Sequence, residues 1–230
     1  MAEITKSVIG KISGTLGNMV FRNIGGKVVV YMRPHNQKIS YSEKSVKNRG
    51  KFGLTSLLAK NARLLPGIEE AWMASSEPGR SAYTKLIKLN SKAGISDRLT
   101  TSNKITPTGN HINVDSVTLS AERLILNYWL SEEVKEKIFP SYNANTLLFL
   151  FEPVNPEAVT KYYFVPLTRI VDEEINKFEY EFDKTIMTFV QSFRKAMIFF
   201  ALTKISDRKI FWTSNYSAEI ENIIIGSVLL

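Results

Sequence analysis

From residue 114 to residue 228 the chain is a succession of short runs dominated by Ile, Val, Tyr, Phe and Trp. That texture restricts the fold more than any other feature. The runs fall at 114–120, 123–130, 146–152, 161–167, 177–182 continuing to 193, 195–204, 209–216 and 219–228. Asn143-Ala144-Asn145, Pro153 to Pro156 and Ser206-Asp207-Arg208 supply turns between most of them. Many short strands at this spacing predict an antiparallel two-sheet sandwich of immunoglobulin-like size. The stretch 131–140 (SEEVKEKIFP) reads as a helical turn. Within 177–183 (KFEYEFD), Phe178, Tyr180 and Phe182 alternate with Glu179, Glu181 and Asp183. One face of that strand belongs to a core and the other to water.

The front of the chain has a different texture. Gly10, Gly14, Gly17, Gly25 and Gly26 crowd into seventeen residues, and Gly50 follows. The runs 18–22 (NMVFR) and 27–33 (KVVVYMR) are joined through Asn23-Ile24-Gly25-Gly26, which predicts a β-hairpin because Gly-Gly tolerates the positive φ of tight turns. Pro34 ends the second strand. Ser40 and Glu43 have capping-box spacing and predict a helix to about Leu65, stopped by Pro66-Gly67. Its basic residues Lys44, Lys47 and Lys51 share a face, with Arg49 to one side, and Gly50 and Gly53 would let another backbone approach. Further short helices are expected at 68–74, around Trp72, and at 81–90. Trp72 and Tyr83 read as core. Residues 91–106 are polar, with a Ser/Thr/Asn cluster at 100–103 before Pro107-Thr108-Gly109, so a domain boundary is expected there. The fold class is therefore α+β, mainly β. Residues 1–104 form a basic glycine-rich hairpin and helical domain, and 105–230 form the sandwich.

Charge follows the same division. The net charge of the 230 residues is +8, but residues 1–104 carry +12 and residues 105–230 carry −4. A basic front attracts nucleic acid, an acidic protein surface, or the acidic rear of another copy. There is no cysteine, which removes disulfides, thiolate metal sites and thiol nucleophiles and fits a reducing compartment. The opening MAEITKSVIGK lacks the apolar region of a signal peptide. No uncharged apolar run approaches the ~20 residues of a membrane span. An intracellular product without membrane partners is expected.

Chemistry has little local support. Gly10, Gly14 and Gly17 fit neither GxGxxG nor GxxxxGK[ST], and strand follows them where a phosphate loop would open a helix. His35 and His111 are the only histidines, and neither has a partner at metal-ligand spacing. No GxSxG elbow surrounds a serine. The acidic group Asp172, Glu173, Glu174, Glu179, Glu181 and Asp183 reads as a solvated strand face. Asn215-Tyr216-Ser217 has the form of a glycosylation sequon. No cofactor, metal or catalytic set is expected. The remaining signal is the basic front, with aromatic Phe21, Tyr31 and Tyr41 interleaved, which suits electrostatic contact with a partner or with phosphates.

The stretch SGTLGNMVFRNIGGKVVVYMRP, the following helix with Arg49 and Phe52, Trp72 and the GRSAY run at 79–83 carry a resemblance. Residues 8–90 resemble a loosely defined group of small proteins encoded in phages, prophages and Bacteroidota genomes. Gly14, Gly17, Val20, Arg22, Gly26, Arg33, Pro34, Arg49, Phe52 and Trp72 match its pattern. At the helix entry this chain has Tyr41-Ser42-Glu43-Lys44 where relatives tend to have Pro-Thr-x-x-Gln. The resemblance implies an immunoglobulin-like rear part in some members and a role in virion structure or assembly. A non-enzymatic structural protein of a virion or the bacterial cytoplasm is thus expected, oligomeric or part of a larger assembly with other virion proteins or its own copies. Its expected partner or phosphate contacts are Arg22, Lys27, Arg33, Lys44, Lys47, Arg49 and Lys51. Close backbone approach is expected at Gly14, Gly17, Gly25, Gly26 and Gly50. Two alternatives use other chemistry: DNA or RNA binding without sequence preference through the same face, or a surface- or carbohydrate-binding sandwich that uses aromatics such as Trp129, Tyr162 or Trp212.

Overall fold

The computed structural model describes residues 2–4, 13–24, 27–33, 39–93, 98–172, 176–206 and 209–223. The protein is mainly β, with 42% strand against 28% helix. It divides into two compact units, Met1–Ser42 and Glu43–Leu230.

The first unit is one antiparallel sheet of β1 (Ala2–Ile4), β2 (Gly14–Leu16), β3 (Met19–Ile24) and β4 (Lys27–Met32), in the order β1-β4-β3-β2. The expected hairpin is β3–β4, closed by the pair Ile24↔Lys27. Its turn residues Gly25 and Gly26 lie outside the described residues, as do Gly10, Pro34 and His35. A second hairpin joins β2 to β3 through Gly17-Asn18. Gly17 has φ +57°, which a glycine at the first central position of a two-residue turn supplies without strain.

The second unit is built in three layers around a central sheet. Helices α1 (Glu43–Ala62), α2 (Ile68–Ala74) and α3 (Ala82–Ala93) come first in the chain. Strands β5 (Asn113–Leu119) and β6 (Arg123–Trp129), helix α4 (Glu132–Ile138), and strands β7 (Tyr142–Pro153), β8 (Tyr162–Val171) and β9 (Lys177–Glu181) follow. Helix α5 (Lys184–Gln191) then leads to β10 (Phe193–Ser206), β11 (Lys209–Trp212) and β12 (Tyr216–Ile220). β5, β6 and β9 form a three-stranded sheet. In the five-stranded sheet β10 pairs β7, which pairs β8, while β11 and β12 share the other edge of β10. All these pairings are antiparallel.

The two sheets face each other over a core in which the ring of Phe200 lies 5.2 Å from Tyr128 and 5.7 Å from Phe178. The Tyr128 and Tyr142 hydroxyls hydrogen-bond at 2.8 Å. Burial, then that bond, pushes the Tyr128 hydroxyl far above the ordinary tyrosine range, so it stays neutral. The other face of the five-stranded sheet is covered too. Leu147, Phe149, Met197 and Phe199 pack there against Leu58 of α1, Trp72 of α2 and Leu86 of α3. This explains why β7 (TLLFLF) and β10 (AMIFFAL) are unbroken apolar runs: neither face meets water.

The compact units divide at Ser42/Glu43. Several expectations need correcting. The segment expected as a linker is packed: Ile105 and Thr106 are buried, and the Ile105 carbonyl accepts from Trp72 Nε1 at 2.7 Å. Asn90 Oδ1 accepts from the Lys104 N–H at 2.7 Å, and Asn215 Oδ1 from the Ile105 N–H at 3.0 Å. Short amides and hydroxyls, the usual mark of a loop, here satisfy a backbone run at depth. The sequon asparagine is thereby a structural anchor. The run expected as strand to 193 breaks at Asp183, whose carboxylate accepts from the Ile186 N–H at 2.8 Å and caps α5. α1 starts at Glu43, so Ser40 and Glu43 do not hold capping-box positions. The last expected run resolves into β12, and residues 224–230 lie outside the described residues.

Lys85 of α3 is buried, and its ammonium donates to the carbonyls of Trp72 (2.9 Å), Met73 (3.3 Å) and Ser75 (2.7 Å). It closes the C-terminus of α2, where orphan carbonyls and the helix dipole favour a cation. Lys85→Met keeps the apolar stem and removes those bonds. It is expected to cost about 2 kcal/mol, read as a lower urea midpoint at unchanged slope.

Candidate functional site

The expected contact residues fall on two surfaces, one in each unit. In the first unit the pairing register sorts side chains by face, because directly opposed residues point the same way. Leu16 opposes Met19, Met19 opposes Met32, and Phe21 opposes Val30. These five, with Asn23 and Val28, share one face. Arg22, Val29, Val20 and Tyr31 share the other, as do the paired Ile24 and Lys27. The Arg22 guanidinium stands 5.5 Å from the centre of the Tyr31 ring, a cation–π contact. Arg33 is exposed, and its N–H donates to the Asn18 carbonyl at 2.6 Å.

Part of the apolar face meets water, at Leu16, Met19 and Met32, while Phe21 and Val30 are half-buried. Val28, 5% exposed, is the one buried residue among the described side chains of these strands, whereas Leu16 and Met32 are 66% and 65% exposed. Gly14 (φ +127°) and Gly17 (φ +57°) have open space where a Cβ would sit. Their backbone angles require glycine; no neighbouring atom among the described residues does.

The second surface is the start of α1. Lys44, Lys47, Arg49 and Gly50 are exposed and Lys51 half-buried, as the helix does not meet its core until Leu54. Lys47 pairs with Glu43 at 2.6 Å, but both are so exposed that the pair contributes little. Val46 and Phe52 are exposed on the same stretch, Phe52 to 58%.

Of the acidic group of the rear half, Asp172, Glu181 and Asp183 are exposed and Glu179 is half-buried, while Glu173 and Glu174 lie outside the described residues. Glu179 accepts from Lys177 at 2.6 Å and lies 3.5 Å from Arg123, and the Lys177 hydrogen bond holds its carboxyl below the ordinary range. Asp183 is the α5 cap. Among the described residues no group of three His, Cys, Asp or Glu is placed to hold a metal ion, and no helix is long and apolar enough to cross a membrane. Of the three aromatics named for carbohydrate, Tyr162 packs 5.9 Å from Phe149 and Trp212 Nε1 donates to the Thr108 carbonyl at 3.4 Å. Trp129 is 48% exposed.

Two clefts went unforeseen. One, of about 610 Å³, lies beyond β7 between Val154, Val159 and Phe193, with Tyr163 and Phe189 stacked at 4.0 Å in its wall. Glu152, at φ +56°, turns the chain into that loop and pairs with Lys195 at 3.0 Å. The other, of about 520 Å³, opens beside Trp129. Loop and strand-end residues build both, and of the residues that line them only Trp129 is expected from the sequence as a binding residue. No protein-family model and no curated protein matches the chain.

Proposed function

We propose that this is a non-enzymatic structural or assembly protein whose N-terminal sheet docks onto the same sheet of a second copy. One observation carries the reading: the sheet separates its side chains, with Leu16, Met19, Phe21, Val30 and Met32 on one face and Arg22 and Lys27 on the other. Two such faces can meet without burying a cation, and a face used by both partners is the ordinary form of a two-fold contact. A sheet of short strands also needs a covering layer to be stable. The cationic face and the basic start of α1 would remain outward for other members of an assembly. A phage or prophage particle is the setting that the resemblance of residues 8–90 implies.

The sandwich is, in the same proposal, the immunoglobulin-like outward module. Support comes from strand order: β5-β6-β9 opposite β8-β7-β10 with β11 and β12 at the edge corresponds to A-B-E opposite C′-C-F-G. The outward cations favour a second reading, binding of DNA or RNA without sequence preference.

Sedimentation of the full chain tests the first reading. The wild type is expected to self-associate, and Leu16→Asp/Met32→Asp, which changes four side chains in a two-fold contact, to raise the dissociation constant by about four orders of magnitude or more, each buried apolar side chain being worth about 1.5–3 kcal/mol. A wild type still monomeric at about 100 μM, far above the dissociation constant of a specific dimer, would sink it. DNA retained at low salt by that monomer, with affinity falling steeply in salt, would favour the second reading.

A further inference from the structure

Trp129 ends β6 on the side away from the sandwich core. Its neighbours Tyr128 and Leu130 are buried, while Trp129 faces the cleft together with His111, Asn113, Asp115 and Tyr216. The side chains come from three places in the chain. Asn113 is the cross-strand partner of Trp129. Asp115 sits in the register shift between Val114 and Ser116, and a bulge of this kind turns a side chain out of the regular alternation. Tyr216 opens β12, which pairs with β10 of the other sheet.

Among the described residues no hydrogen bond or ion pair engages the side chains of these five. The indole N–H, the Asn113 amide, the Tyr216 hydroxyl and the Asp115 carboxylate are all left to solvent around one exposed aromatic face. Two polar side chains elsewhere on this sheet are already engaged: Asn127 Nδ2 donates to Ser116 Oγ at 2.8 Å, and Glu179 is held by Lys177. A ligand that matches has a flat apolar face for the indole and a rim of groups that both donate and accept. A pyranose ring has both. A nucleotide shares the flat face, but its phosphate would meet the Asp115 carboxylate, and neither Lys nor Arg lines the cleft.

We propose that this cleft is a binding site for neutral saccharide, with one sugar ring stacked on Trp129 and its hydroxyls shared between Asp115 and Asn113. It lies wholly in the second unit, so its success or failure is separable from that of the assembly surface.

The test is titration of the full chain with maltotriose, chitotriose and mannotriose, followed by tryptophan fluorescence. Trp72 is fully buried and Trp212 is hydrogen-bonded, so Trp129 is the fluorophore that a ligand in this cleft would cover. At least one sugar is expected to give a saturable shift with a dissociation constant on the order of 1 mM, as befits one open subsite. Trp129→Ala, read by calorimetry, should weaken that binding at least about tenfold, and Asp115→Asn several-fold with the shift retained. Trp212→Phe should leave it unchanged. No saturable response to any of the three sugars at about 10 mM, well above the expected constant, would overturn the proposal. So would binding that survives Trp129→Ala, or saturable binding of adenosine monophosphate in place of the sugars.

Discussion

Phe199→Ala and Phe200→Ala are each expected to remove about 3–5 kcal/mol of stability and to lower one and the same unfolding transition. The two rings are sequence neighbours on β10 and point to opposite faces. Phe199 lies in the helix-facing core with Leu58, Trp72 and Leu86, and Phe200 lies between the sheets with Tyr128 and Phe178. Both are fully buried. If the helices and the sandwich share the central sheet as structural support, neither layer can unfold alone. Trp72 fluorescence, read in a Trp129→Phe/Trp212→Phe background, then reports the helical layer and far-ultraviolet circular dichroism the whole, and the two curves should coincide with and without each alanine substitution. In thermal terms each variant should melt roughly 10 °C lower. Separate transitions, one moved by each substitution, would show two independent domains and support a boundary near residue 104.

How far the fold was legible follows from these same residues. Existence of the strands, the β3–β4 hairpin and the α1 helix could be read from β-branched runs, Gly-Gly and the Pro66-Gly67 stop. That β7 and β10 were buried on two faces was also written in their lack of alternation, but a continuous apolar run says only that both sides are dry, not what dries them. The polar stretch before Pro107 misled because Asn90, Asn103 and Asn215 hold partners distant in sequence, and composition cannot tell a solvated amide from a bonded one. α5 misled in another way. Its Ile, Thr, Phe and Val favour strand, and one Asp183 cap with tertiary packing outweighs that preference.

Site residues divide along similar lines. The basic excess of the front was plain from counting, yet its arrangement required the register. A period of two puts Met19 and Phe21 on the face opposite Val20 and Arg22, and Lys27 joins the second set only because Ile24 pairs with it. Charge alone therefore pointed to the cationic face, whereas the pairing register shows an apolar face behind it. The cleft beside Trp129 depends on a bulge and on β12 returning beside β10, and neither leaves a local signal.

Asn145→Leu, which keeps the branch at Cγ and removes both polar atoms, is expected to cost about 3–4 kcal/mol. Asn145 is fully buried in β7. Its Nδ2 donates to the Pro66 carbonyl at 3.0 Å and to Thr203 Oγ1 at 2.8 Å, and its Oδ1 accepts from Thr168 Oγ1 at 2.9 Å. Thr203 Oγ1 donates in turn to the Pro66 carbonyl at 2.7 Å. One amide thus ties the turn between α1 and α2 to three strands. The turn has no slack: Gly67 has φ +75°, and a Cβ there would lie 2.8 Å from the Thr203 side chain. Each lost bond is worth about 1 kcal/mol, with more for a partner left buried and unmet. Thr203→Val alone should cost less, since Asn145 can still reach Pro66. Because the two residues share that carbonyl and each other, the double variant should cost at least about 1 kcal/mol less than the sum of the singles. Chemical denaturation of all four proteins measures this coupling. Strict additivity would mean that the amide and the hydroxyl hold the turn independently, and the clamp between the helical layer and the sheet would have to be sought elsewhere.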